Sequence, residues 1–192
     1  MDRKELFIET YNKNIHRKGA EKLLEWICST DFFTAPASTR FHAAYEGGLA
    51  DHSMNVYNVL ISKHYDPEKD DLESFTIASL LHDLCKAGYY GVSTRNVKNA
   101  EGRWEQVPYY TIDDKFPYGH GEKSVYLIER FMRLKTEEAM AIRWHMGGFD
   151  DNARVGNFTI AHAFEKYPLA VKLHLSDLEA TYLCENREEA TC

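Results

Sequence analysis

Apolar residues recur at helical spacing from the start of the chain: Leu6, Phe7, Tyr11 and Ile15, then Leu23, Leu24 and Ile27, with the rhythm broken near "RKGA" at 17–20. This spacing predicts two helices within residues 3–29. The loop "STDFFTAPASTRFHAAYEGGLAD" follows, carrying Pro36 and the Gly47-Gly48 pair. Asp51 is placed to cap a helix from His52 to about His64, with Val56, Val59 and Leu60 on one face. A further helix is expected from about Asp71 to Ala87, stopped by Gly88. Between Tyr89 and Tyr118 the helical period vanishes. There "VKNAEGRWEQVPYYTI" reads as two extended arms around a turn at Glu101-Gly102, a β-hairpin inserted at about 89–118. Helical periodicity returns in "EKSVYLIERFMRL" (122–134) and in "TEEAMAIRWH" (136–145), the latter opened by a capping pattern at Thr136 and stopped by Gly147-Gly148. After the loop "GGFDDNARVGN", helical stretches begin near Phe158 and Pro168. The second carries Leu169, Val171, Leu173, Leu175 and Leu178 towards Cys184. The element pattern is all-α with one small β insertion, and no repeat or linker divides residues 1–192.

Composition narrows the setting. At 44% hydrophobic and 13% aromatic residues, a chain of this length can bury a substantial core. A formal charge of −7 disfavours a long nucleic-acid duplex as partner, although bound metal could still attract a small anion into one cleft. Cys28, Cys85, Cys184 and Cys192 form no CxxC pair and are read as reduced thiols. The opening "MDRKELFIET" lacks an apolar signal core, and no run approaches the length of a membrane span. A soluble, cytoplasmic protein is expected.

The chemistry concentrates in "SLLHDLCKAG" (79–88). Leu80, Leu81 and Leu84 mark a segment that packs inward, yet His82 and Asp83 lie among them and need polar partners. A buried histidine beside a carboxylate is by itself a common structural device. Here, however, His52, His120, His145 and Asp177 also fall at predicted helix ends or in apolar helical stretches. Imidazole and carboxylate donors suit manganese, iron, cobalt, nickel and zinc alike. Successive helical residues point about 100° apart, so His82 and Asp83 share one ion only at a helix end or with the ion between them. A carboxylate can bridge two ions and an imidazole holds one, which makes Asp83 the natural bridge. Lys86 could hold a substrate phosphate or complement a helix C-terminus. His174 could orient a ligand, touch substrate or simply pack. His16, His42, His64 and His162 read as surface or core. Arg95, Lys98, Arg103 and Lys115 read as solvated, and the aromatic residues of the insertion as a face docked on the helices, with nucleobase stacking as the alternative.

The order His52, His82-Asp83, Asp177, with "GGLADHSMNV", "LLHDLCK" and "HLSDLEA", resembles the HD-domain superfamily of metal-dependent phosphohydrolases. The resemblance runs from about Tyr45 to Glu185 and implies an HD-type helical bundle (N-terminal helices 1–44, core 45–185). In two-metal members extra histidines fall between the HD pair and the final aspartate, as His120 and His145 do. The resemblance therefore implies one ion on His52, His82, Asp83 and Asp177, and a second on Asp83, His120 and His145. It implies a phosphomonoesterase or phosphodiesterase using one or two divalent ions (Mn, Fe, Co, Ni or Zn), with Asp83 in catalysis; Lys86, four residues beyond His82, is expected in catalysis and at the substrate, and His174, three before Asp177, at the substrate. A metal-activated hydroxide would attack a nucleotide or related small anion. Di-iron oxygenation and a non-catalytic module that binds metal or nucleotide are the alternatives. The chain departs from the family at Leu84-Cys85, where members often carry an aliphatic residue followed by glycine.

Overall fold

The two N-terminal stripes fold as α1 (Arg3–Asn14) and α2 (Ala20–Ser29). The computed structural model describes residues 2–156 and 158–185, and Cys192 lies outside them. Among the described residues the chain forms nine α-helices and one two-stranded antiparallel sheet.

Helix α3 runs Gly48–His64, starting four residues ahead of the expected His52. The cause is the glycine pair: Gly47 takes φ 81°, and a Cβ on Gly48 would lie 1.9 Å from the Ala43 carbonyl oxygen, so the chain turns into the helix there. Asp51 is thus inside the first turn and does not cap. Its carboxylate accepts from Arg3 Nε (2.8 Å) and the Tyr45 hydroxyl (3.0 Å).

Helix α4 (Leu72–Leu81) is capped by Asp71, whose side chain accepts from Glu73 N–H. It ends well short of Ala87. His82 and Asp83 occupy a break, after which the backbone tightens into a 3₁₀ turn, Leu84–Lys86, closed by Lys86 N–H to Asp83 O (3.0 Å) and Ala87 N–H to Leu84 O (3.1 Å). Side chains from Ser74 to Leu81 are all buried. Residues of α4 join both apolar clusters of the core. One contains Phe7, Leu23 and Ile27 with Ile77, Leu80 and Ile128, and the other Val56 and Leu60 with Phe75, Ala141 and Leu173. α4 is therefore the central helix, and its C-terminal end delivers His82 and Asp83 to the interior.

The inserted hairpin pairs β1 (Tyr90–Lys98) with β2 (Trp104–Ile112), in register from Tyr90↔Ile112 to Lys98↔Trp104. Asn99 shapes its tip by accepting from the Glu101 and Arg103 N–H groups. Its base docks through Tyr90 O–H to Ala37 O at 2.9 Å. Tyr90 packs against the core, but Trp104 is 68% exposed and lies under Lys98 (5.3 Å), so the expected aromatic face meets the helices at its base and not along its arms. Arg95, Lys98, Arg103 and Lys115 are exposed.

Helices α5 (His120–Glu129) and α6 (Thr136–Trp144) follow. The N-cap of α6 is Lys135 rather than Thr136, and the Glu138 carboxylate accepts from Lys135 N–H (2.7 Å). Gly121 allows α5 to approach the end of α6, since a Cβ there would sit 2.3 Å from the Arg143 carbonyl oxygen. The loop after Gly147 contains a short helix, α7 (Asp151–Arg154), capped by Asp150. α8 (Thr159–Lys166) and α9 (Pro168–Glu179) close the fold, with α9 running into a π turn, Ala180–Cys184. Among the described residues no helix is long and apolar enough to cross a membrane, and Cys28, Cys85 and Cys184 are free thiols.

A buried ion pair ties the N-terminal segment to this frame. Glu138 is fully buried and receives Arg17 through both guanidinium nitrogens (2.6 and 2.8 Å) and Ser74 Oγ (2.7 Å), while Arg17 also reaches Glu73 (3.1 Å). Burial makes this pair asymmetric: losing one partner strands a charge, whereas replacing both by apolar groups does not. Arg17→Met should lower stability by about 3–5 kcal/mol, read as a fall in the urea midpoint. Arg17→Met with Glu138→Leu should recover much of that loss.

Candidate metal centre

Five segments of the chain bring six donors to one place. His52 comes from the second turn of α3, His82 and Asp83 from the break after α4, His120 from the first residue of α5, His145 from the end of α6, and Asp177 from α9. His52, His82, Asp83 and His145 are at most 2% exposed.

Three of the imidazoles are held in the same manner. His82 and His145 each close a helix and donate Nδ1–H to the carbonyl three residues back, to Ser79 O (2.8 Å) and Ile142 O (2.7 Å). His52 Nδ1 donates to Glu185 Oε1 at 2.9 Å, and Asn55 supports the same oxygen. With Nδ1 engaged, each ring turns Nε2 inward, the arrangement that sets tautomer and angle for a metal-ligating histidine. The inward atoms are close together: His52 Nε2 lies 3.2 Å from His82 Nε2 and 3.1 Å from Asp177 Oδ1.

Asp83 sits between two sets of nitrogens and divides its oxygens. Oδ2 faces His82 Nε2 (3.5 Å) and His52 Nε2 (3.6 Å) and accepts from Lys86 Nζ (2.6 Å). Oδ1 faces His120 Nε2 (2.8 Å) and His145 Nε2 (3.5 Å). Neither Asp83 Oδ1 nor His145 Nε2 meets a partner in hydrogen-bonding geometry, although both are buried. Two orphaned acceptors aimed at one another are costly unless a cation stands between them. Together with the imidazole and carboxylate donors around them, they fit a divalent transition ion. These buried and half-buried groups fall into triads whose donors lie within 4.8 Å of one another: His52, His82 and Asp177; His82, Asp83 and His145; Asp83, Cys85 and His120; and, at the edge, His42, His52 and Glu185.

The electrostatics follow from packing these charges out of water. Burial alone would raise the Asp83 carboxyl, but Lys86 and the imidazoles hold it well below the usual carboxylate range. Burial works against a charged His52, yet the hydrogen bonds it donates to the Asp177 and Glu185 carboxylates outweigh it and push the ring up to about 10. Burial dominates at His42, pushing it down to about 4. Without an ion, protons on His52 and Lys86 balance the carboxylates; a divalent ion on His52 Nε2 would displace that ring's second proton and supply the charge in its place.

All six sequence-predicted donors converge, and Lys86 and His174 stand beside them. Lys86 lines the cleft while pairing with Asp83, which makes it more than a helix-terminal cation. His174 donates Nδ1–H to His145 O (2.6 Å) and packs on Phe164, so it both lines the cleft and fixes the residue that follows α6. His16 and His162 are exposed and His64 is half-buried at the end of α3. His42, which spacing placed at surface or core, instead faces the site with its ring 4.9 Å from that of His52. Glu185 also escapes the sequence pattern, because the π turn carries an extra residue and rotates it back towards α3, closing with Glu185 N–H to Ala180 O (3.1 Å). Arg154 on α7 lines the same cleft. The cleft holds about 700 Å³ and opens between Phe41, Tyr89, Ile112, Phe149 and Tyr182, within the size range of small-molecule sites.

Comparison with protein-family models, curated proteins and solved structures returns no match to this chain. The site's character therefore rests on its own geometry: buried histidine, aspartate and cysteine groups able to hold a metal ion, at the floor of an open cleft.

Elemental analysis of protein purified without chelator should find a transition metal at one or two ions per chain, and Asp83→Ala should lose at least one of them. Chelation should lower the melting temperature, since an ion at 100-fold over its Kd stabilises the folded state by about 2.7 kcal/mol.

Proposed function

We propose that the chain is an HD-type, metal-dependent phosphohydrolase that cleaves a phosphomonoester or phosphodiester of a nucleotide or related small molecule. The observation that carries this reading is the division of Asp83, one oxygen towards His52 and His82 and the other towards His120 and His145. A carboxylate so placed can join two ions, and the ligand order matches the HD-type pattern in sequence. When bound, the metal supplies Lewis-acid charge neutralisation and makes water a nucleophile near neutral pH.

The chain's own residues have separate tasks in this reading. His52 and Asp177 line the cleft and His82 and His145 lie buried behind them, with the three rings oriented by Glu185, Ser79 O and Ile142 O. Lys86 keeps a positive charge beside Asp83, where an arriving phosphate needs a counter-charge. Arg154 at the cleft wall is a second cation within the same opening. The aromatic walls at Tyr89, Phe149 and Tyr182 offer apolar surface to the organic part of the substrate. The excess of acidic residues on the chain leaves Lys86 and Arg154 as local exceptions suited to a small anion.

A screen of phosphomonoesters, phosphodiesters and nucleotides with metal-loaded protein should release phosphate or a nucleoside from at least one class. Asp83→Ala should lower kcat/KM by about a thousandfold, equivalent to about 4 kcal/mol of lost charge stabilisation. Lys86→Met should act mainly on KM, raising it about tenfold, the effect of removing a contact of about 1.4 kcal/mol. Oxygen consumption matching product formation, with no phosphate released, would replace this reading with oxidative chemistry.

A further inference from the structure

Cys85 lies two residues past Asp83 on the 3₁₀ turn and is 3% exposed. Its backbone N–H donates to Ser124 Oγ on α5 at 3.0 Å. The turn is thereby locked to the helix that begins with His120, and the thiol and that imidazole are kept in register. Sγ lies 3.4 Å from His120 Nδ1 and 4.0 Å from Nε2. On the other edge of the ring stands Asp83 Oδ1, a buried oxygen without a hydrogen bond. Donor atoms of Asp83, Cys85 and His120 all fall within 4.8 Å of one another.

These separations are those of ligands around one ion. A thiolate at about 2.3 Å and an imidazole at about 2.1 Å from a tetrahedral ion stand about 3.6 Å apart; Nε2, the ring nitrogen that faces Asp83, lies 4.0 Å from Sγ, so a small turn of the ring or thiol brings the pair to that spacing. His145, the partner that the family resemblance gives to His120, groups instead with His82 and Asp83.

We propose that Cys85 supplies a thiolate ligand to an ion held by Asp83 and His120, so that the second metal position of this chain contains sulfur. The assignment rests on the metal-centre reading and is independent of phosphoester chemistry. A coordinating thiol gives up its proton to solvent on binding. A soft donor would bias this position towards zinc, iron, cobalt or nickel and away from magnesium and manganese, which favour oxygen. The competing role is a weak S–H donor that merely orients His120.

Cobalt(II) titration of metal-stripped protein separates these roles without any assay of turnover. The full chain should develop an intense near-ultraviolet sulfur-to-cobalt charge-transfer band. A Cys28→Ser/Cys184→Ser/Cys192→Ser variant, whose one remaining thiol is Cys85, should keep that band. Cys85→Ser should lose it while still binding cobalt through His52, His82 and Asp177, and zinc-edge X-ray absorption should lose a sulfur at about 2.3 Å. Cobalt bound tightly with no such band overturns the assignment of Cys85 and leaves the metal centre standing. A band that survives in Cys85→Ser and vanishes in the triple variant does the same. Absence of cobalt binding altogether overturns both. If Cys85→Ser does not fold, the variant retaining only Cys85 decides alone, by the presence or absence of the band on its bound cobalt.

Discussion

The constraint that organises this molecule is the burial of the Asp83 carboxylate. An ionised carboxylate in an interior is tolerated only where positive charge and hydrogen-bond donors surround it. Here Lys86 approaches one oxygen and four imidazoles, from three helix ends and the second turn of α3, converge on the pair. The fold can be read as the means of supplying them. α4 crosses both halves of the core so that its end lies deep inside, the break after Leu81 frees His82 and Asp83 from the helical register, and α3, α5, α6 and α9 each present a donor at the point of closest approach.

Breaking a helix inside a core is unfavourable unless the freed groups are satisfied. The site meets that requirement with its own ligands. His82 and His145 donate Nδ1–H to the last turns of α4 and α6, so the same ring caps a helix and aims Nε2 at the centre. Structural and chemical demands thus fall on the same atoms. Removing either ring therefore affects both the end of a helix and the donor set.

Much of this was legible in the chain. Helical periodicity located most of the helices, "NAEGR" located the turn of the hairpin, and the residue types at 52, 82, 83, 120, 145 and 177 identified the donors before any geometry was known. The illegible parts have particular causes. The early start of α3 comes from the close approach of Gly48 to Ala43, and the early end of α4 from tight i→i−3 bonding past Asp83, neither of which leaves a periodic trace. Glu185 was hidden because a π turn shifts the spacing on which periodicity relies. His42 lies in a segment without regular structure and is brought to the site by the loop before α3, and Arg154 by a helix of a single turn. The aromatic hairpin suggested a docked face, yet most of it meets solvent, because two strands paired only with each other have little surface against which to pack.

The antiparallel pairing of that hairpin has an effect on inheritance and engineering. The chain departs at Tyr90 and comes back at Ile112 directly opposite, and Asp113 N–H bonds to Tyr89 O (2.9 Å) beneath them. Asp83 and His120 are therefore neighbours at 2.8 Å whatever the length of the excursion between them. Paired residues can be added to or cut from the two arms as a ribbon is lengthened or trimmed, and the distance spanned at its root does not change.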